Sequence, residues 1–67
     1  MKTLKELKQK YPEHIKTSGN LYYIDGMGWY RQQKSMFGIE TFTKNWEDEW
    51  TGVSFDKLVE YVAQLFK

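Results

Sequence analysis

The sequence has no cysteine and a single proline among its 67 residues. Without cysteine there is neither a disulfide framework nor a cysteine-based zinc site, which are the usual reinforcements of very small domains. A chain of this length forms one domain, residues 1–67, and buries only about 60% of the surface that its unfolded form exposes. Large side chains must therefore build the core, and the aromatic content of 18% meets that demand.

Long apolar runs and a strong excess of charge are also missing. No uninterrupted stretch is long enough for a membrane span or for the apolar segment of a signal peptide, so we expect a cytoplasmic protein that does not contact a membrane. Ten Lys and Arg against nine Asp and Glu give a net charge of +1. That balance argues against a strong polyanion binder and against a mimic of DNA.

Groups that could perform chemistry are sparse. The one histidine, His14, has no nucleophile or carboxylate at a recognisable spacing, and we interpret it as a solvated loop residue. The adjacent acids of residues 47–49 project in different directions and lack the calcium-loop pattern. Residues 26–28 lack the helix start of a phosphate-binding loop. The sequence therefore predicts a protein that is not an enzyme and holds neither a metal nor another cofactor.

A short helix is predicted near the start of the chain, from about Leu4 to Lys10. Thr3 and Glu6 have the spacing of a capping box, which satisfies free backbone N–H groups at a helix start. Pro12 disfavours helical geometry at Tyr11 and so ends the element. The apolar positions recur at intervals of three and four residues, in one narrow stripe: Leu4, Leu7 and Tyr11.

An amphipathic helix is predicted at the other end of the chain, after Ser54. Ser54 is suited to cap it, and Asp56 lies in the first turn, where the helix dipole favours negative charge. Its apolar residues form a wide stripe at helical spacing, namely Phe55, Leu58, Val59, Val62, Ala63 and Phe66. This stripe is wide enough to cover one face of a sheet.

The first predicted hairpin follows a polar loop that spans Glu13 to Asn20. Leu21 to Ile24 is rich in strand-forming residues, and Asp25-Gly26 is a two-residue turn signal. The partner strand then runs from Met27 to Gln32. In this register Ile24 lies opposite Met27, Tyr22 opposite Trp29, and Tyr23 over Gly28.

A third strand is predicted from Met36 to Thr43, after a polar tip at Gln32 to Ser35. The alternation assigns three of its residues to the core face: Phe37, Ile39 and Thr41. Residues 46–50 fit either a short edge strand or a helical turn, because a spacing of four puts both indoles on one side in either case. A turn predicted at Thr51-Gly52 favours the strand. The expected fold is α+β, with an antiparallel meander of three strands, or four, flanked by the N-terminal helix and packed on the C-terminal helix.

Two tryptophans and three acids form the most distinctive short segment, Trp46, Glu47, Asp48, Glu49 and Trp50. Tryptophan is enriched at interface hot spots, and a charged rim sets the register of a partner. The pattern predicts a protein-binding surface and hence a non-catalytic module, a small regulator or inhibitor in the style of phage and mobile-element accessory proteins. The alternative is that both indoles belong to the core, where large aromatics are mostly found.

Nucleic-acid binding by the sheet is the second hypothesis. Stacking rings and cations alternate along the predicted strands, in the set Tyr22, Trp29, Tyr30, Arg31, Lys34 and Lys44, with Phe42 as a further ring. The order of three strands and a helix from Leu21 to Phe66 resembles DNA-binding modules that lay a sheet in the major groove, such as the AP2 domain and the arm-binding domain of phage integrases. The resemblance implies DNA as partner, although the basic residues of those families are not matched. A homodimer through exposed aromatics or a free sheet edge is the alternative to a monomer.

Overall fold

The computed structural model of the chain describes residues 3–66. Within this range two helices enclose five strands in sequence. The element bounds are α1 (Leu4–Lys10), β1 (Ile15–Ser18), β2 (Leu21–Ile24), β3 (Gly28–Ser35), β4 (Gly38–Lys44), β5 (Trp50–Val53) and α2 (Phe55–Leu65). The protein is α+β, as the sequence predicts, but its sheet has five strands where three or four are expected.

The strands form one antiparallel sheet in the order β1-β2-β3-β4-β5, so neighbours in sequence are neighbours in space. Each connection is therefore a hairpin, and successive hairpins lie at alternate ends of the sheet. The β2–β3 and β4–β5 connections share one end, and the β1–β2 and β3–β4 connections share the other. The strands at the two edges are β1 and β5.

Both helices pack on the same face of the sheet, which we call the inner face. Leu4 and Leu7 of α1 and Leu58 and Val62 of α2 are buried in one cluster with three strand residues, Ile15, Ile24 and Tyr30. Burial of each such side chain contributes roughly 1.5–3 kcal/mol. A helix of two turns does not hold itself in water, so α1 depends on this contact. The opposite, outer face has no helix over it within residues 3–66.

Both predicted helices are confirmed together with their caps. The Thr3 hydroxyl accepts a hydrogen bond from the backbone N–H of Glu6 at 3.2 Å, and α1 ends at Lys10, two residues before Pro12. The Ser54 hydroxyl accepts from the N–H of Lys57 at 3.5 Å. These elements are predictable because caps and helical spacing are local properties of the sequence.

The prediction of a loop from Glu13 to Asn20 is wrong, because residues 15–18 form the edge strand β1. Only Ile15 of this strand is buried, opposite Ile24 of β2. An edge strand with one inward apolar residue shows no clear alternation. The missed signal is Gly19-Asn20, a two-residue hairpin turn, in which Gly19 has a φ of +60°.

The predicted register between β2 and β3 is also wrong, by one residue. The connection has three residues, 25–27, and the N–H of Met27 donates to the carbonyl of Ile24 at 2.9 Å. Ile24 consequently pairs with Gly28, Tyr23 with Trp29 and Tyr22 with Tyr30. Three-residue hairpin loops with glycine in a left-handed conformation are the common alternative to two-residue turns. The shift changes the cross-strand partner of every aromatic side chain in this hairpin.

The core face predicted for the third strand is buried only at Thr41. β3 extends to Ser35, so Gln32 to Ser35 is strand and the turn falls at residues 36–37. Phe37 in this turn is 89% exposed, and Ile39 is 51% exposed. Thr41 alone of the three assigned residues is buried. The helices do not cover the inner face at this end of β4, so the Ile39 side chain has no core to pack against.

The turn predicted at Thr51-Gly52 is wrong, and His14 is less exposed than expected. Thr51 and Gly52 are the middle of β5, and residues 45–49 connect β4 to β5. His14 lies in the connection between α1 and β1, as expected, but it is half-buried. Its ring stacks on Phe66 with centroids 4.0 Å apart and planes 3° from parallel. His14 thus helps to anchor the end of α2.

A first prediction follows from the exposure of the β3–β4 turn. Because the Phe37 side chain has no core to leave, Phe37→Ser should change the free energy of unfolding by less than about 0.5 kcal/mol. Urea denaturation of the two proteins measures the difference. A loss of about 3 kcal/mol, the lower limit for truncation of a buried ring, would contradict the exposed position.

Candidate binding loop and outer sheet face

The β4–β5 loop, residues 45–49, is held in shape by Asn45. The side-chain oxygen of Asn45 accepts hydrogen bonds from the backbone N–H of Glu47 at 2.9 Å and of Glu49 at 3.0 Å. At the base of the loop, the N–H of Asn45 donates to the carbonyl of Glu49 at 2.9 Å. One asparagine therefore satisfies most of the backbone groups that a loop of this size leaves open, as short polar side chains do in turns.

Asp48 completes the loop through its backbone and its side chain. Its φ of 63° is left-handed, a conformation that aspartate tolerates better than most residues. Its N–H donates to the carbonyl of Asn45 at 3.1 Å. Its carboxylate lies 3.3 Å from the ammonium of Lys44. Segment 46–50 is thus neither a helical turn nor a strand, except for Trp50 at the start of β5.

The five residues predicted as a protein-binding surface are contiguous in space, but their two indoles have different roles. Trp46 is 90% exposed, at the tip of the loop. Trp50 is half-buried against the outer face of the sheet, where the guanidinium of Arg31 lies 4.4 Å from its ring centroid. The three acids of the loop are all exposed. Trp46 is therefore available to a partner, whereas Trp50 has a structural contact.

The outer face of the sheet carries a group of rings around one cation, which we call the outer cluster: Tyr23, Trp29, Arg31, Phe42 and Trp50. Arg31 lies between two rings, 4.4 Å from Trp50 and 5.5 Å from Phe42. Tyr23 and Trp29 meet edge to face at 5.1 Å. The Nε atom of Arg31 is buried and has no hydrogen-bond partner within residues 3–66. Contact with the two rings offsets the free-energy cost of this unpaired N–H group, since cation–π pairs contribute about 0.5–2 kcal/mol.

The six residues predicted to bind nucleic acid do not share a face. Successive side chains of a strand point to opposite sides. Trp29, Arg31 and Lys44 lie on the outer face by register, whereas the other three lie on the inner side: Tyr22, Tyr30 and Lys34. Tyr30 is buried in the core. The predicted set is therefore divided between the two faces of the sheet.

Two residues of these surfaces were not predicted from the sequence, Tyr23 and Asn45. Tyr23 joins the outer cluster only because of the one-residue shift in the β2–β3 register, whereas Phe42 lies there because it pairs with Arg31. The signal available in the sequence was the two-residue alternation of a strand, because it places Trp29 and Arg31 on one face of the sheet. Asn45 was visible only as a turn residue, and its bonds depend on the loop conformation.

Comparison of the chain with family models, with curated proteins and with solved structures gave no match. Within residues 3–66, no three His, Asp or Glu side chains converge into a group that could hold a metal ion. Neither α1 nor α2 is long and apolar enough to cross a membrane. The function of the loop and of the outer cluster therefore has to be inferred from the side chains that they expose.

A second prediction concerns the loop. Asn45→Ala removes two hydrogen bonds to backbone N–H groups, so the amides of Glu47 and Glu49 should exchange with solvent at least about tenfold faster. Hydrogen exchange followed by NMR measures both amides directly. The matched control is Asn20→Ala in the β1–β2 turn, which should leave these two amides unchanged. Unaltered exchange in the Asn45 variant would mean that the strands alone hold the loop.

Proposed function

We propose that this protein is a non-catalytic protein-binding module, a small regulator or inhibitor that contacts its partner through the β4–β5 loop. The observation that carries the proposal is Trp46, 90% exposed at the tip of a loop whose backbone is bonded to Asn45. An indole left in water contributes nothing to the core of a domain that has few ways to gain stability. On a partner, the same ring can bury roughly 150–250 Å².

The loop has the features of an interface anchor. Trp46 is presented on an ordered segment, so binding has little conformational entropy to remove from the backbone. Glu47 and Glu49 are exposed in the same loop, and Asp48 is paired with Lys44 at 3.3 Å. Acids around an apolar anchor favour a partner whose pocket has a basic rim, and they set its orientation more than its affinity. The proposed partner therefore offers an apolar pocket surrounded by lysine or arginine.

The test compares proteins captured from cells that naturally make this chain, with wild-type and Trp46→Ala baits. Loss of a central tryptophan anchor costs 2 kcal/mol or more, about 30-fold in affinity, so the partner should be lost from the variant. Phe37→Ala is the matched control, because Phe37 is equally exposed at the other end of the sheet. Capture that both variants retain equally would contradict the proposal, and so would a change in the melting temperature of Trp46→Ala at a concentration where both chains are monomeric.

A second candidate, single-stranded nucleic acid, is favoured by the outer cluster. Its rings can stack on bases, and the strand residues of that face include three cations, Lys16, Arg31 and Lys44, against one acid, Glu40. Fluorescence titration with a short single-stranded DNA tests this candidate. It predicts an affinity that falls steeply with salt and a loss of about 1–3 kcal/mol for Trp29→Ala. The acidic β4–β5 loop at the end of the same face opposes such binding, which is why we place this candidate second.

A further inference from the structure

The edge strand β5 is open to pairing with another strand. One of its sides pairs with β4, and its other side faces no strand within residues 3–66. An edge strand presents unpaired N–H and C=O groups, which proteins commonly protect with lysine, proline or a bulge. The sequence of β5, Trp50-Thr-Gly-Val53, contains no charge and no proline. By contrast, the other edge strand, β1, carries Lys16.

An apolar cavity of about 370 Å³ opens beside the end of this free edge. Its lining includes Val53 of β5, the core residues Tyr30 and Leu58, and the half-exposed ring of Tyr61. The volume lies within the range of pockets that hold small ligands. Among the described lining residues, Lys57 is the one that carries a charge.

We propose that a second copy of this chain pairs with the free edge of β5 and inserts its Trp46 into this cavity. The inference rests on the proposed function, since it assigns a partner to the same loop. In a closed two-fold dimer, β5 pairs antiparallel with β5 of the second copy. The residues that precede Trp50 in the second copy then run past Val53 towards the start of α2. That direction brings the tip of its loop to the cavity.

Charge and symmetry support the same arrangement. Glu47 and Glu49 of the second copy approach Lys57 at the rim of the cavity, so opposite charges meet. Because the two-fold axis repeats every contact, one exposed indole and one cavity per chain give two filled cavities per dimer. The dimer also removes two free sheet edges from water.

The first test is sedimentation equilibrium of the full chain. We expect a concentration-dependent mass that rises towards twice 8.1 kDa. Trp46→Ala removes both anchors of the two-fold dimer, at about 30-fold each, and should raise its dissociation constant about 900-fold. Phe37→Ala should leave that constant unchanged. A wild-type chain that stays monomeric at about 1 mM, where even interactions of roughly 4 kcal/mol are detected, would overturn the inference. A dimer that Trp46→Ala leaves intact would overturn it too.

The second test uses the absence of cysteine, which makes every introduced thiol diagnostic. A Glu47→Cys chain mixed with a Lys57→Cys chain should form a disulfide-linked pair under mild oxidation. The control mixture of Lys34→Cys and Lys57→Cys should not form this disulfide. Lys34 takes the place of Glu47 in this mixture and lies at the end of the sheet opposite to the β4–β5 loop. If the control mixture forms as much disulfide as the test mixture, residue 47 of one copy does not lie specifically beside residue 57 of the other.

The two proposals fail in distinguishable ways. A monomer that still captures another protein through Trp46 retains the proposed function and excludes the dimer. A Trp46-dependent dimer that captures no other protein retains the dimer and excludes a role as regulator of a different partner.

Discussion

Ile24→Ala should lower the free energy of unfolding by about 2–5 kcal/mol. Ile24 has no exposed surface, and it lies opposite Ile15 at the centre of the cluster that both helices cover. Truncation removes the transfer free energy of the lost methyl groups and leaves a cavity that the neighbouring side chains fill only in part. No other substitution proposed for this protein should destabilise it more.

In a domain of 67 residues, this change in the free energy of unfolding is large relative to the total. At 0.05–0.15 kcal/mol per residue, the whole chain has roughly 3–10 kcal/mol of stability, so a loss of about 2–5 kcal/mol removes a large part of it. Urea denaturation followed by tryptophan fluorescence measures the change. Ile39→Ala deletes the same atoms at a side chain that is 51% exposed and should cost less than about 1 kcal/mol. Equal losses at the two sites would contradict the assignment of Ile24 to the core and Ile39 to the surface.

Gln32→Ala should lower the free energy of unfolding by about 2–4 kcal/mol. It leaves two part-buried groups unpaired, each at about 1–2 kcal/mol, the lower part of the range for buried groups. The side-chain oxygen of Gln32 accepts a hydrogen bond from the N–H of Leu4 at 2.7 Å. Its amide nitrogen donates to the hydroxyl of Thr41 at 3.2 Å, and Thr41 is buried. Gln32 thus ties the first turn of α1 to the sheet, where the helix has few other ways to satisfy its N–H groups.

The adjacent residue supplies the control for this prediction. Gln33 has the same side chain, but it points to the outer face and is exposed, so Gln33→Ala should change stability by less than about 0.5 kcal/mol. Urea denaturation compares the two variants, and amide exchange in α1 should accelerate in Gln32→Ala alone. If both variants were equally stable, the contacts of Gln32 with Leu4 and Thr41 would contribute nothing.

The two surfaces proposed for binding differ in what maintains them. Trp46 is exposed because Asn45 and Asp48 fix a loop that holds the ring away from the sheet. The outer cluster is half-buried because its rings cover one another and Arg31. A change at Trp46 therefore alters recognition with little effect on stability, whereas a change at Trp50 alters the packing of Arg31 as well.

The sequence predicts best where structure depends on residues close together in the chain. Helices α1 and α2, their caps at Thr3 and Ser54, and the start and end of β2 follow from local spacing and capping chemistry. The presence of a turn after Ile24 follows from Asp25-Gly26. The segment 46–50 could be selected from the sequence because two indoles around three acids are unusual in a chain without a charge excess.

Tertiary structure decided the questions that depend on residues far apart. β1 exists because Ile15 pairs with Ile24 and completes the core, although its own sequence is polar. The register of the β2–β3 hairpin depends on a choice between turns of similar cost, and a shift of one residue set the composition of the outer cluster. Whether an aromatic residue is core or surface is decided by what the helices cover, so Tyr30 is buried and Phe37 and Trp46 are exposed. The sequence by itself determined the two helices with their caps and the strand β2, and only the packing of the two helices on one face determined which side chains remain free to bind.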